Sequence, residues 1–158
     1  MRRWVGAAVV AALLALAIFG AVKVLRPAAL PGGDAHVDGP LLVSAAPGVS
    51  RGGMDAQIMG EINFDDGCLL LAGHLVVWPN GTEWDEAATE VVLPNGSRVG
   101  VGDAVSGGGG YPRVKDFAAG KDPYGVYGDA GTRILRTCAG PTGEVAFFNE
   151  GSEVELVE

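Results

Sequence analysis

The sequence predicts an all-β domain, a small antiparallel barrel or sandwich of OB-like type, preceded by one N-terminal transmembrane helix. Three observations predict it. Trp4 through Val22 is a run without charge, flanked by Arg2 and Arg3 on one side and Lys23 on the other. Beyond Met54 the chain reads as short β-branched and aromatic runs bounded by Gly, Pro, Asn and Asp, the punctuation of strands and tight turns. No window there carries a helical stripe, and parallel crossovers require helices, so the strands are expected to pair antiparallel.

The leader comes first. Its charge-free run of 19 residues would reach about 28 Å as a helix, close to the hydrocarbon thickness of a bilayer. A secretory h-region is shorter and is followed by small residues at the cleavage site. Cleavage after Ala21 would put Phe19 at the −3 position, and the one small-x-small triplet that fits, Ala15-Leu16-Ala17, lies inside the apolar run. Residues 1–26 are therefore expected to be an uncleaved signal-anchor, with a secreted protein as the alternative if the leader is cut. Arg2 and Arg3 place the N-terminus inside, which makes a single-pass cell-membrane protein with its C-terminal domain outside.

Residues 27–54 have linker composition, with prolines at 27, 31, 40 and 47 among six glycines. As a flexible coil they would span roughly 30 Å. Leu41, Leu42 and Val43 are the exception, a short strand that can dock on the domain; His36 is read as solvated. Residues 55–158 form the extracytoplasmic β-domain.

Strands are predicted near Gln57–Phe64, Cys68–Leu71, His74–Trp78, Glu90–Leu93, Arg98–Val101, Val114–Phe117, Thr132–Thr137, Glu144–Asn149 and Glu153–Val157, with at most a single helical turn near Trp84–Thr89. Asp65-Asp66-Gly67 closes the first pair as a tight turn with Gly67 at positive φ. Pro79-Asn80-Gly81-Thr82 is echoed fifteen positions later by Pro94-Asn95-Gly96-Ser97. Both are expected to be hairpin corners in which proline fixes φ and Asn-Gly supplies the left-handed residue. The final strand alternates acid and aliphatic residues and should be half-buried.

The chain's net charge is −8, and four of its basic residues lie in the first 26 positions. The remaining 7 basic and 19 acidic residues leave −12 on the body. Such a surface repels phosphate backbones, which excludes nucleic acid as a partner.

Cys68 and Cys138 are the two cysteines. In an oxidising compartment a lone pair is most simply a disulfide, with two buried free thiols as the rival reading. No metal site is expected, because the cysteines lack a CxxC arrangement and only His36 and His74 could join them.

Gly107 to Gly110 lacks the Gly-Lys-[Ser/Thr] of a phosphate loop, and Gly100-Val101-Gly102 lacks the rest of a dinucleotide fingerprint. Both are read as bent or flexible loops, and no cofactor is expected. Glu83, Asp85 and Glu86 lie near Trp78 and Trp84, with Tyr111 later in the chain. Carboxylates beside aromatic platforms suit sugar binding, and a correctly spaced pair would suit glycoside hydrolysis. On an acidic loop they are more simply solvated, and no catalytic residue is assigned; Trp78, Trp84 and Tyr111 stand as candidate ligand-binding positions. His74 is read as packed within its strand. Asp65-Asp66-Gly67 and the run from Asp122 to Asp129 do not match a calcium loop.

Taken together, Gly60-Glu61-Ile62, Gly67-Cys68-Leu69-Leu70-Leu71, Trp78-Pro79, Gly102-Asp103-Ala104-Val105 leading into Gly107–Gly110, and Cys138-Ala139-Gly140-Pro141 resemble a loose group of small exported β-domains of high-GC bacteria. That group has no assigned activity. The resemblance covers roughly Gln57 to Asn149 and implies a Cys68–Cys138 pairing and a compact β-barrel. It departs at the uncleaved leader. The function expected is a non-enzymatic binding or scaffold module of the cell envelope, tethered by its N-terminal helix and engaging an envelope protein or glycan.

Overall fold

In the computed structural model, the described residues are 35–44, 54–115, 128–139 and 143–157. All fall within the compact unit Pro31–Glu158, and the leader lies outside them. Among the described residues no helix is long and apolar enough to cross a membrane.

Among the described residues eleven strands and one helix have full bounds. In chain order they are β1 (His36–Asp38), β2 (Leu41–Val43), β3 (Ala56–Asp65), β4 (Cys68–Leu71), β5 (His74–Trp78), β6 (Glu83–Asp85), β7 (Glu90–Val92), β8 (Arg98–Val99), β9 (Ala104–Gly110), α1 (Gly128–Cys138), β10 (Val145–Phe148) and β11 (Glu155–Leu156). Five strands close a barrel in the circuit β3-β4-β5-β10-β9 and back to β3. The β1–β2 hairpin joins the edge of β5, β11 joins β9, and β6-β7-β8 form a separate three-stranded sheet.

The barrel is not wholly antiparallel. β2 runs parallel to β5, with Leu42 beside Val77, and β10 runs parallel to β5 on its other edge, with Val145 beside Leu75. This corrects the antiparallel expectation, and the composition of these strands explains it. Leu-Leu-Val, Leu-Val-Val-Trp and Val-Ala-Phe-Phe are continuous apolar runs, as parallel strands buried on both faces require. Leu41, Val43, Val76, Trp78, Ala146 and Phe148 point into the barrel core. Their neighbours Leu42, Leu75, Val77, Val145 and Phe147 point outward into a second core with Leu135 and Ala139.

That second core is roofed by α1, where a strand was expected over Thr132–Thr137. The periodicity is helical: Gly131, Leu135 and Ala139 are buried, and Ile134 and Cys138 half-buried, at spacings of three and four. Three of these five residues are small, so the stripe carries little apolar mass. Asp129 in the first turn and Arg136 in the last suit the helix dipole.

The glycine run predicted as a loop is strand β9. Its glycines let neighbours approach closely. A Cβ on Gly107 would lie 2.9 Å from the Phe148 ring, and one on Gly109 would collide with the Phe147 carbonyl oxygen. Glycine is thus required by the two phenylalanines of β10.

The remaining corrections are local. Residues 36–43, assigned to the linker, form β1 and β2 within the sheet, with Leu41, Leu42 and Val43 buried as docking requires. His36 lies on β1. Trp84 is on strand β6 instead of a helical turn, and Val114 begins a helical turn instead of a strand. Asp65-Asp66-Gly67 is the expected tight turn, with φ of 47° at Asp66 and 80° at Gly67. Gly81 and Gly96 share a φ of 85°. Only the second corner is a hairpin, between β7 and β8; the first carries the chain from the barrel to the small sheet.

Candidate functional site

The candidate residues occupy four separate places. Cys68, the first residue of β4, is bonded to Cys138, the last of α1, with Cα atoms 5.6 Å apart. This bridge fastens the helix over the outer face of the barrel. It settles the choice between disulfide and free thiols.

Trp78 is wholly buried, its ring 5.6 Å from that of Phe148 in the barrel core. It offers no face to a ligand and serves as packing. Among the described residues its Nε1 has no partner, and neither does the buried Ser44 hydroxyl; the Ser44 amide donates to the Trp78 carbonyl at 2.8 Å.

Trp84 is half-buried and holds the β1–β2 turn to the small sheet. Its backbone N–H donates to the Asp38 carboxylate at 2.8 Å. Gly39, at a φ of 55°, sits so close to the ring that a Cβ would come within 2.6 Å of it. Phe64 stacks on the indole at 6.3 Å and an interplanar angle of 19°, and is itself 44 % exposed. Phe64 is the exposed aromatic that sequence reading missed, because it occurs within a strand run that reads as core. Tyr111 lies elsewhere, its ring 5.1 Å from that of His74.

Of the carboxylates beside Trp84, Asp85 joins Glu90 in an ion-pair network. Arg98 bridges Asp85 at 2.8 Å and Glu90 at 2.6 Å. The hydrogen bond from Arg98, reinforced by the Ala88 amide, holds the Asp85 carboxyl below the usual carboxylate range, and Arg98 is raised in turn by Asp85 and Glu90. A group held ionised in this way is a poor proton donor to a leaving oxygen. Among the described residues no three His, Cys, Asp or Glu side chains converge as metal ligands.

A small, mostly apolar cavity of about 180 Å³ lies where the two Pro-Asn-Gly corners meet the turn before β11, lined by Pro79, Leu93, Pro94, Ser152 and Val154.

Among the described residues, the first half of β3 is paired on one edge only. β3 pairs with β9 through Ala56–Glu61 and with β4 only through Ile62–Asp65. Ile62 exchanges hydrogen bonds with the β9 side, donating to Asp103 and accepting from Gly102, whereas the Glu61 carbonyl faces the other way and accepts from Ala72. Alternation along the strand then turns the N–H and C=O of Met59 and Gln57 toward that same open side. Met59 is 55 % exposed. In comparisons with known proteins, no protein family, no curated protein and no solved structure matches this chain.

Proposed function

We propose that the chain is a membrane-tethered, extracytoplasmic β-domain of OB-like type that acts as a non-enzymatic binding or scaffold module of the cell envelope. The observation that carries this reading is the Cys68–Cys138 bridge, because such bonds form and persist in oxidising compartments. The charge-free leader and the acidic body support the same placement, one preferring lipid and the other water. The resemblance to small exported β-domains agrees with it.

The strand circuit supports the OB-like assignment. Counting barrel strands in chain order, it runs 1-2-3-5-4 and returns to 1, a Greek-key order with the third and fifth strands parallel. Barrels of that type bind ligands over strands two and three and the adjoining loops. Here α1 covers the outer face of the third strand and is bonded to the second. The usual ligand face is therefore occupied by the chain itself, which favours recognition at another part of the surface.

The test is protease treatment of intact cells carrying the full chain, followed by alkylation of unreduced protein. Digestion of the domain while a cytoplasmic marker survives, with Cys68 and Cys138 linked, is the expected result. A protected domain or two free thiols would refute the reading.

A second reading, an envelope-glycan binder, is favoured by the exposed Phe64 stacked on Trp84 beside acidic residues. Phe64→Ala tests it more cleanly than a change at Trp84, whose ring also supports the β1–β2 turn. Peptidoglycan retention that disappears in Phe64→Ala would favour the glycan reading.

A further inference from the structure

An open strand edge next to an exposed apolar side chain is a template for another strand, and proteins ordinarily guard such edges with lysine, proline or a bulge. The β3 edge has none of these: Gln57, Ile58 and Met59 are regularly paired with Gly108, Gly107 and Ser106 on the opposite side. What surrounds it is negative charge. Along the outward row of β3, Glu61 lies two positions, or about 7 Å, from Met59. Across the sheet Met59 neighbours Ser106, and Ser106 neighbours Glu155, about 10 Å away. Asp55 immediately precedes the strand.

Among the described residues of this face, opposing cations are scarce. From Met54 to Pro112 the sequence contains one Lys or Arg, Arg98, which is already engaged by Asp85 and Glu90. Strands β3, β4, β9 and β11 have no basic residue. A second copy of this chain added edge to edge would bring like charges together, which disfavours self-pairing. Charge complementarity selects a cationic strand instead.

We propose that the open edge of β3 at Gln57–Met59 receives an extended, lysine- or arginine-bearing segment of a partner protein by strand addition. The inference deepens the binding-module reading and rests on it. The added strand would exchange backbone hydrogen bonds with Gln57 and Met59, and its alternate side chains on the outer face would reach Asp55 and Glu61. Backbone pairing supplies the docking geometry and the carboxylates select the sign of the charge.

The experiment uses the full chain in neutral-detergent micelles and three fluorescein-labelled decapeptides: alternating Lys-Thr, alternating Glu-Thr, and a Lys-Thr peptide methylated on every backbone nitrogen, which keeps the charge but removes every backbone N–H. Fluorescence anisotropy should show Lys-Thr binding at least tenfold tighter than the other two, and hydrogen exchange should show new protection at the Gln57 and Met59 amides. Gln57→Pro removes an N–H that β9 does not use and should weaken Lys-Thr binding at least tenfold. Met59→Lys, which places a like charge on the edge without touching the backbone, should do the same if the proline variant does not fold. Failure of Lys-Thr to bind, equal binding of the N-methylated peptide, or protection confined to other residues would overturn the proposal. So would a dimer of the unmodified chain that Met59→Lys dissolves, because the edge would then be a self-association site. None of these outcomes alters the protease result above, so the two readings fail separately.

Discussion

Removing the Cys68–Cys138 bridge should cost about 4 kcal/mol of stability. The bridge closes a loop of 70 residues, and the chain-entropy relation for a loop of that size gives that figure at 25 °C. Among the described residues, few apolar side chains of the helix could replace it. An isolated helix needs about 12–15 residues to persist in water, and α1 has 11, anchored apart from the bridge chiefly by Leu135, Ala139 and Ile134. The assay is urea unfolding of oxidised protein and of a Cys68→Ala/Cys138→Ala double variant, followed by the fluorescence of the buried Trp78. With a denaturant slope of about 1–3 kcal/mol per molar, the midpoint should fall by roughly 1.5–4 M. Reduced wild-type protein should behave as the double variant does. A loss below about 1 kcal/mol would refute the reasoning, since the bridge would then join regions already held together without it.

Other expectations follow from the same geometry. Gly109→Ala sets a methyl against the Phe147 carbonyl and Ile58 and should destabilise by at least about 3 kcal/mol in thermal melts; Gly108→Ala, with its nearest neighbours at 3.6 and 3.7 Å, should change stability by less than about 0.5 kcal/mol. Asn149→Ala removes two hydrogen bonds to the Met54 backbone, each 2.8 Å, and should cost about 1–3 kcal/mol, read by urea unfolding. Asp85 titrates below its ordinary value because of Arg98, so its contribution is present above the unfolded carboxyl pKa of about 3.9 and is lost as pH falls through the depressed folded value. Arg98→Ala should therefore flatten the acid limb of the stability curve below about pH 4, and an unchanged limb in acid unfolding would count against the pairing.

Much of the barrel was legible where one local signal was enough. β4 and β5 fall at the predicted boundaries because apolar runs end at Asp-Gly and Ala-Gly turns on one side and at Pro79 on the other. Gly67 takes the left-handed conformation expected of it. Three features required knowledge of neighbours. The glycines of β9 mark a strand only when Phe147 and Phe148 are known to lie against them. The buried stripe of α1 is made mostly of Gly131, Cys138 and Ala139, so its period is hidden in side chains with little apolar mass. The parallel pairing of β2, β5 and β10 was written in their unbroken hydrophobicity, but that signal also fits a buried antiparallel strand.

At the candidate site the aromatic positions divided by depth, which sequence does not encode. Trp78 and Trp84 flank the same Pro-Asn-Gly corner, yet one fills the barrel and the other clamps a turn. Phe64 is visible at the surface because β3 runs on to Asp65 at the barrel's end, a matter of strand length and tilt. The open edge of β3 follows from the short reach of β4, whose four residues cover only the second half of a ten-residue partner.

The strands β2, β5 and β10 are a single wall with a packed layer on each side. Every second side chain belongs to one layer and the next to the other, so neither layer can melt while the wall persists without leaving apolar surface bare on the opposite side. The two layers are thermodynamically one body, which calls for a single calorimetric transition and for the slowest-exchanging amides along β5. Selection on any residue of the wall is then felt twice, once through each layer it separates.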